Sequence, residues 1–126
     1  MAEQRILIID DEEDIREVAQ VSLEAVGGYE VLTAASGREG LETARAEQPD
    51  AILLDWMMPD MDGPATFEEL RGDATIRDIP VVMLTAKVQA ADRRRLAELG
   101  VSAVLPKPFE PMKLAEQVAD ALGWDA

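Results

Sequence analysis

The chain has 126 residues, enough for one compact domain and too few for two. Hydrophobic residues make up 48% of it, so it can bury a core, and the lack of cysteine and histidine excludes a disulfide scaffold, a thiolate zinc site and a phosphohistidine on this chain. The net charge of −14 disfavours direct binding to nucleic acid or to an anionic membrane.

Five short apolar segments alternate with segments whose apolar residues recur about every 3.6 positions. The apolar segments are continuous, which is typical of parallel strands covered on both faces. They predict strands at Arg5–Ile9, Glu30–Ala34, Ala51–Leu54, Val81–Leu84 and Val101–Leu105. The second segment is the least apolar, which suits the edge of a sheet.

A helix is predicted after each strand. The first has one apolar face, which contains Ile15, Val18, Ala19, Leu23 and Val26. Ser36 can cap the second helix, which Pro49 ends, and Pro64 can lie in the first turn of the third. Leu96 and Leu99 mark a fourth helix, which Gly100 closes, and Pro111 opens the fifth.

Five such βα units with right-handed crossovers predict a doubly wound α/β domain, with helices on both faces of the sheet. No linker or repeat interrupts residues 1–126, so we expect a single domain without an output domain. The N-terminus lacks the apolar core of a signal peptide, and no apolar run approaches the roughly 20 residues that span a bilayer. We therefore expect a cytoplasmic protein that does not insert into membranes.

Polar residues stand at the carboxyl ends of the predicted strands, where doubly wound sheets bind ligands. Asp10 and Asp11 follow the first strand, Asp55 the third, Thr85 the fourth and Lys107 the fifth. If strands one and three are neighbours, three carboxylates meet in one pocket. Two like charges about 4 Å apart repel by about 4 kcal/mol at an effective dielectric near 20, and one lysine cannot balance three acids.

A divalent cation would relieve this repulsion. Mg²⁺ prefers oxygen ligands and keeps bound waters that a phosphate can replace. With the metal present, a carboxylate can accept a phosphoryl group, as in the aspartyl-phosphate enzymes. Mg²⁺, the Lys107 ammonium and the Thr85 hydroxyl would then meet the three phosphoryl oxygens.

Four short motifs occur in order, each at a predicted strand end. They are IIDDEEDI, LLDWMMPDMDG around Asp55, MLTA with Thr85, and LPKPF with Lys107. On these motifs the chain resembles, over essentially its whole length, the receiver domains of two-component response regulators, here of the stand-alone type. The resemblance implies a flavodoxin-like (βα)₅ receiver fold with a five-stranded parallel sheet in the order 2-1-3-4-5.

The resemblance also implies a role for each matching acid. Asp55 is expected to be the phosphoacceptor. Asp11 and Asp55 are expected to bind Mg²⁺ directly, together with the backbone carbonyl of Met57, and Asp10 mainly through water.

The resemblance further implies the parts of a switch. Lys107 is expected to pair with Asp55 or with the phosphoryl group, and the Lys107–Pro108 peptide bond is expected to be cis. Thr85 is expected to move toward a phosphoryl oxygen. Receivers usually carry Tyr, Phe or His three residues before the lysine, whereas this chain has Val104, so the usual aromatic readout is missing.

The implied function is a phosphorylation-controlled switch in a two-component phosphorelay. The donor would be a histidine kinase or a histidine phosphotransfer protein, and the signal would pass to a downstream protein by a change of shape. The chain would catalyse only its own phosphorylation and dephosphorylation, so we do not expect a classical enzyme.

Three alternatives differ in class. A receiver-like interaction module that phosphorylation does not regulate is favoured by Val104. A flavodoxin-type electron carrier is disfavoured because five successive acids at 10–14 would repel a flavin phosphate. A phosphatase acting on other phosphoproteins would need turnover of a separate substrate.

One basic cluster stands out in this acidic chain, formed by Lys87, Arg93, Arg94 and Arg95. A solvated helix face with acidic neighbours is the simpler interpretation. The alternative is a surface that docks an acidic partner.

Overall fold

A five-stranded parallel sheet forms the centre of the fold. The computed structural model describes residues 4–86, 94 and 98–124. Its strands are β1 Arg5–Ile9, β2 Glu30–Ala34, β3 Ala51–Asp55, β4 Val81–Thr85 and β5 Ala103–Pro106. They pair in the order β2-β1-β3-β4-β5, and every pairing is parallel. The predicted strand order is therefore confirmed, as is the edge position of the second strand.

Helices cover both faces of this sheet, as the doubly wound prediction requires. They are α1 Glu13–Ala25, α2 Gly37–Glu47, α3 Gly63–Gly72 and α4 Leu114–Leu122. Buried residues of α2 and α3 form one core cluster with the sheet, and those of α1 and α4 form a second cluster on the opposite face. Most of the helix predicted before residue 100 lies outside the described residues, as do Lys87, Arg93 and Arg95 of the basic cluster.

Side-chain caps fix where two of the helices begin. The Ser36 hydroxyl accepts a hydrogen bond from the Glu39 amide at 3.1 Å at the start of α2. The Asp62 carboxylate accepts one from the Ala65 amide at 2.9 Å at the start of α3, which has Pro64 in its first turn. These caps satisfy amide groups that have no partner within the helix.

The strands that carry site residues end later than predicted. β3 includes Asp55 and β4 includes Thr85, because both residues continue the register with the neighbouring strand. β5 begins at Ala103, where its pairing with β4 starts, and not at Val101 as predicted.

The last helix begins later than predicted, at Leu114 rather than at Pro111. The amides of Lys113 and Leu114 both bond to the carbonyl of Glu110, so the chain turns here before the helix starts.

The apolar face predicted for α1 is only partly buried. Ala19, Ser22 and Leu23 are buried, whereas Val18 and Val26 are exposed. The prediction was wrong for these two valines because the buried stripe of α1 is narrower than its apolar face. In the described part of the chain, no helix is long and apolar enough to cross a membrane.

Gly63 lets α3 begin directly beside the end of β3. A Cβ atom at this position would lie 2.6 Å from the carbonyl oxygen of Asp55 and 2.7 Å from the Cα of Trp56, and neither backbone atom can move aside cheaply. The Gly63 amide also donates to the Trp56 carbonyl at 3.0 Å. The absence of a side chain at Gly63 therefore helps to fix the backbone that carries Asp55.

We expect Gly63→Ala to lower the free energy of unfolding by about 1–3 kcal/mol, the usual cost of overpacking. Gly72→Ala is the matched control, because a Cβ at Gly72 would meet nothing within 4 Å. The control should raise the stability by up to about 1 kcal/mol through helix propensity. Urea denaturation measures both, and equal effects of the two substitutions would contradict the packing argument.

Candidate functional site

The carboxyl edge of the sheet brings the predicted polar residues together. Asp10 follows β1, Asp55 ends β3 and Thr85 ends β4, and all three are buried. Lys107 follows β5 and reaches this group, while Asp11 lies on its exposed rim. Residues from four strands therefore share one pocket at the edge where doubly wound sheets bind ligands.

Lys107 lies between the carboxylates. Its Nζ atom is 3.0 Å from an Asp10 oxygen and 3.2 Å from an Asp55 oxygen, and its side chain is only 12% exposed. A third carboxylate, that of Glu12, lies 3.5 Å from the same Nζ atom. One ammonium thus pairs with three acids.

Backbone contacts hold this arrangement in place. The Lys107 amide donates to the Thr85 carbonyl at 2.9 Å, and the Lys107–Pro108 peptide bond is cis. The Met57 amide donates to the Asp55 carboxylate at 3.4 Å. The lysine and the acid are therefore anchored through separate, hydrogen-bonded segments of backbone.

The pocket is unfavourable for an ionised Asp55. The pKa of the Asp55 carboxyl is raised to about 6, first by burial and then by the charge of Asp10, although Lys107 and the Met57 amide act to lower it. Burial would lower the pKa of Lys107, but hydrogen bonding and charge interaction with Asp10 and Asp55 outweigh it and raise that pKa. The lysine stays charged, yet it does not compensate the acids around it.

The same acids fit a hard divalent cation. One carboxylate oxygen from each of four residues lies within 4.8 Å of the other three; the residues are Asp10, Asp11, Glu12 and Asp55. Oxygen ligands without nitrogen or sulfur are typical of Mg²⁺ and Ca²⁺ rather than zinc. The incomplete compensation at Asp55 gives such a cation a physical reason to bind. The role expected of the Met57 carbonyl stays a prediction.

Glu12 was not among the residues predicted from the sequence. The five residues at 10–14 are all acidic, so residue type does not show which of them contacts Lys107. The turn that leads into α1 decides this. A weak indication is that Glu12 occupies the N-cap of α1, where Ser, Thr, Asp or Asn is preferred. A glutamate at such a position suggests that its side chain has a role other than capping.

Two of the positions that the sequence analysis connects with the switch lie in β4 and β5. Thr85 is buried at the end of β4. Val104 lies in β5 opposite Met83 and packs, partly buried, against the core on the α2 and α3 side. Their roles in switching stay predictions.

The sequence matches the response regulator receiver domain over residues 6–119, and the chain belongs to that family. It is 40% identical over 114 residues to the alkaline phosphatase synthesis transcriptional regulatory protein PhoP of Bacillus subtilis, covering 90% of this chain and 46% of that protein. It is 38% identical over 122 residues to the phosphate regulon transcriptional regulatory protein PhoB of Pseudomonas aeruginosa, covering 97% of this chain and 53% of that protein. The chain thus spans about half the length of the curated relatives it matches.

Solved structures agree with this assignment. The chemotaxis response regulator CheY4 of Vibrio cholerae superposes with a TM-score of 0.88 at 31% identity, covering 95% of this chain and 99% of that chain. Family membership implies phosphorylation-controlled two-component signalling, and receiver domains generally depend on Mg²⁺. Both statements agree with an acidic pocket in which Lys107 pairs with the carboxylates.

Proposed function

We propose that this chain accepts a phosphoryl group on Asp55 from a phosphohistidine donor and signals by changing shape. The observation that supports this most strongly is the position of Asp55. Its side chain is buried, 3.2 Å from Lys107, and burial, together with the charge of Asp10, raises its pKa to about 6. A buried carboxylate so poorly compensated is a costly feature that a purely structural role does not require.

The transfer that we propose is a displacement at phosphorus. An Asp55 oxygen attacks the phosphorus atom, an O–P bond forms, and the N–P bond of the donor breaks, so that its electron pair returns to the imidazole. Dephosphorylation restores the Asp55 carboxylate: a water oxygen attacks the phosphorus, the O–P bond to Asp55 breaks, and inorganic phosphate leaves while the water proton is released to solvent or to the phosphate. The protein would perform both steps only on itself, so it would not be a classical enzyme.

Mg²⁺ would supply the positive charge that cancels repulsion between the acidic pocket and an incoming phosphoryl group. The residues proposed to hold it are Asp11, Asp55 and the Met57 carbonyl directly, and Asp10 mainly through water. This assignment is consistent with the crowding of carboxylate oxygens at this edge.

Lys107 and Thr85 would act on the phosphoryl oxygens. The Lys107 ammonium already lies 3.2 Å from Asp55, so a small movement would let it follow the negative charge onto the phosphoryl group. The Thr85 hydroxyl would donate to another oxygen and move toward it, which would be the switching step.

The donor would be a histidine kinase or a histidine phosphotransfer protein in the cytoplasm, and an apolar groove along α1 is suited to dock it. The groove, about 400 Å³ in volume, lies between α1 and the turn before α4. Val21 and Met112 in its lining are 64% and 75% exposed. Glu17 on its border favours a donor helix with an apolar face and basic flanks. Nucleic acid and membrane insertion have no part in this proposal.

Intact-mass spectrometry after incubation with acetyl phosphate tests the acceptor. We expect a single phosphoryl adduct that requires Mg²⁺, disappears in EDTA and is absent from Asp55→Asn. Asp60→Asn, in the loop after β3, is the control and should still be phosphorylated. If the folded wild type forms no adduct with acetyl phosphate or with a phosphorylated kinase, the interaction module that phosphorylation does not regulate becomes the better account.

The docking proposal has a separate test, since acetyl phosphate does not need the groove. We expect Val21→Glu to slow phosphorylation by a phosphohistidine protein about ten-fold, equivalent to about 1.4 kcal/mol, and to leave the acetyl phosphate rate unchanged. Ala46→Glu adds the same charge at an exposed position of α2, on the opposite face, and should affect neither rate. Equal loss with both donors would exclude the groove as the docking surface.

A further inference from the structure

Glu12 contacts the site although no role has been assigned to it. Its carboxylate lies 3.5 Å from Nζ of Lys107, and its side chain is 60% exposed, so it approaches the lysine from the mouth of the pocket. Its backbone amide donates to the Asp10 carboxylate at 2.9 Å. The other oxygen of that carboxylate receives Lys107 at 3.0 Å. Glu12 therefore contacts the charge cluster through both its backbone and its side chain.

Helix capping does not account for this side chain. Glu12 is the N-cap residue of α1, with extended backbone angles, and it makes no side-chain capping hydrogen bond. An N-cap side chain normally turns back to accept from the first amides of its helix. In this chain the Glu12 carboxylate contacts the Lys107 ammonium instead.

We infer that Glu12 is a positioning residue, which shares the Lys107 ammonium with Asp10 and Asp55 and thereby keeps these two carboxylates available to a divalent cation. The inference rests on the proposed function, because it concerns the same Mg²⁺ site. Without Glu12, the lysine would pair more fully with Asp10 and Asp55 and would compete with the cation for their oxygens. Loss of the nearby negative charge would also make the pocket less attractive to Mg²⁺. Both effects lower Mg²⁺ affinity.

The experiment is a Mg²⁺ titration without a phosphoryl donor, followed by tryptophan fluorescence, since Trp56 directly follows Asp55. Calorimetry provides a second readout. We expect Glu12→Gln to weaken Mg²⁺ binding about three- to five-fold, the size expected of one partly exposed ion pair. Glu13→Gln removes the same charge from the next residue, which is exposed and, in the described part of the chain, does not pair with Lys107. This control should change the affinity by less than about two-fold.

A double-mutant cycle with Lys107→Met separates positioning from direct ligation. If Glu12 acts through the lysine, Glu12→Gln should lose its effect in the Lys107→Met protein and fall to the level of Glu13→Gln. An equal loss of affinity with and without Lys107 would overturn the inference, because Glu12 would then act on the cation directly. An effect of Glu12→Gln no larger than that of Glu13→Gln would overturn it as well.

The two proposals fail in distinguishable ways. If the wild type binds no Mg²⁺ at all, the proposed metal-assisted function fails at its first step. If the wild type binds Mg²⁺ and forms the Asp55 adduct while Glu12→Gln binds Mg²⁺ normally, only the role of Glu12 is overturned. Urea denaturation of each variant confirms that affinity, and not folding, has changed.

Discussion

The repulsion between two buried carboxylates, Asp10 and Asp55, is the constraint on which the rest of this structure depends. Both acids lie within 3.2 Å of one ammonium, that of Lys107, yet burial, together with the charge of Asp10, still raises the pKa of Asp55 to about 6. A protein selected only for stability would replace one of these acids. Their retention makes sense if a cation and a phosphoryl group complete the charge balance during function.

The sheet fixes the positions of these acids although they repel each other. β3 and β4 are buried along their whole length, and the four residues of β1 that follow Arg5 are buried as well. The continuous pairing of these strands keeps Asp55 and Thr85 inside the ladder rather than on mobile loops. Gly63 then lets α3 pack directly on the end of β3. The fold tolerates the unfavourable charge interactions at the site because the sheet packs against an apolar core on each of its faces.

The fold was largely predictable from the sequence because burial on both faces of parallel strands leaves continuous apolar segments. The chemistry-bearing residues were predictable because each stands next to such a segment. Prediction failed where side-chain direction decides the outcome. The apolar residue Val18 fits the helical period but lies outside the buried stripe, and Glu12 became part of the site only through the turn at the start of α1. The orientations of the Val18 and Glu12 side chains could not be predicted from residue type or spacing.

The central claim is most directly tested by the pKa of Asp55 itself. Carbon-13 NMR of aspartate-labelled protein measures it, with the resonance assigned by its absence from Asp55→Asn. Without Mg²⁺ we predict a carboxyl that titrates near 6. With saturating Mg²⁺ the pKa should fall below about 4, because the cation favours the ionised form. A carboxyl that titrates near about 4 in both conditions would contradict the claim that a buried and incompletely compensated carboxylate defines this site.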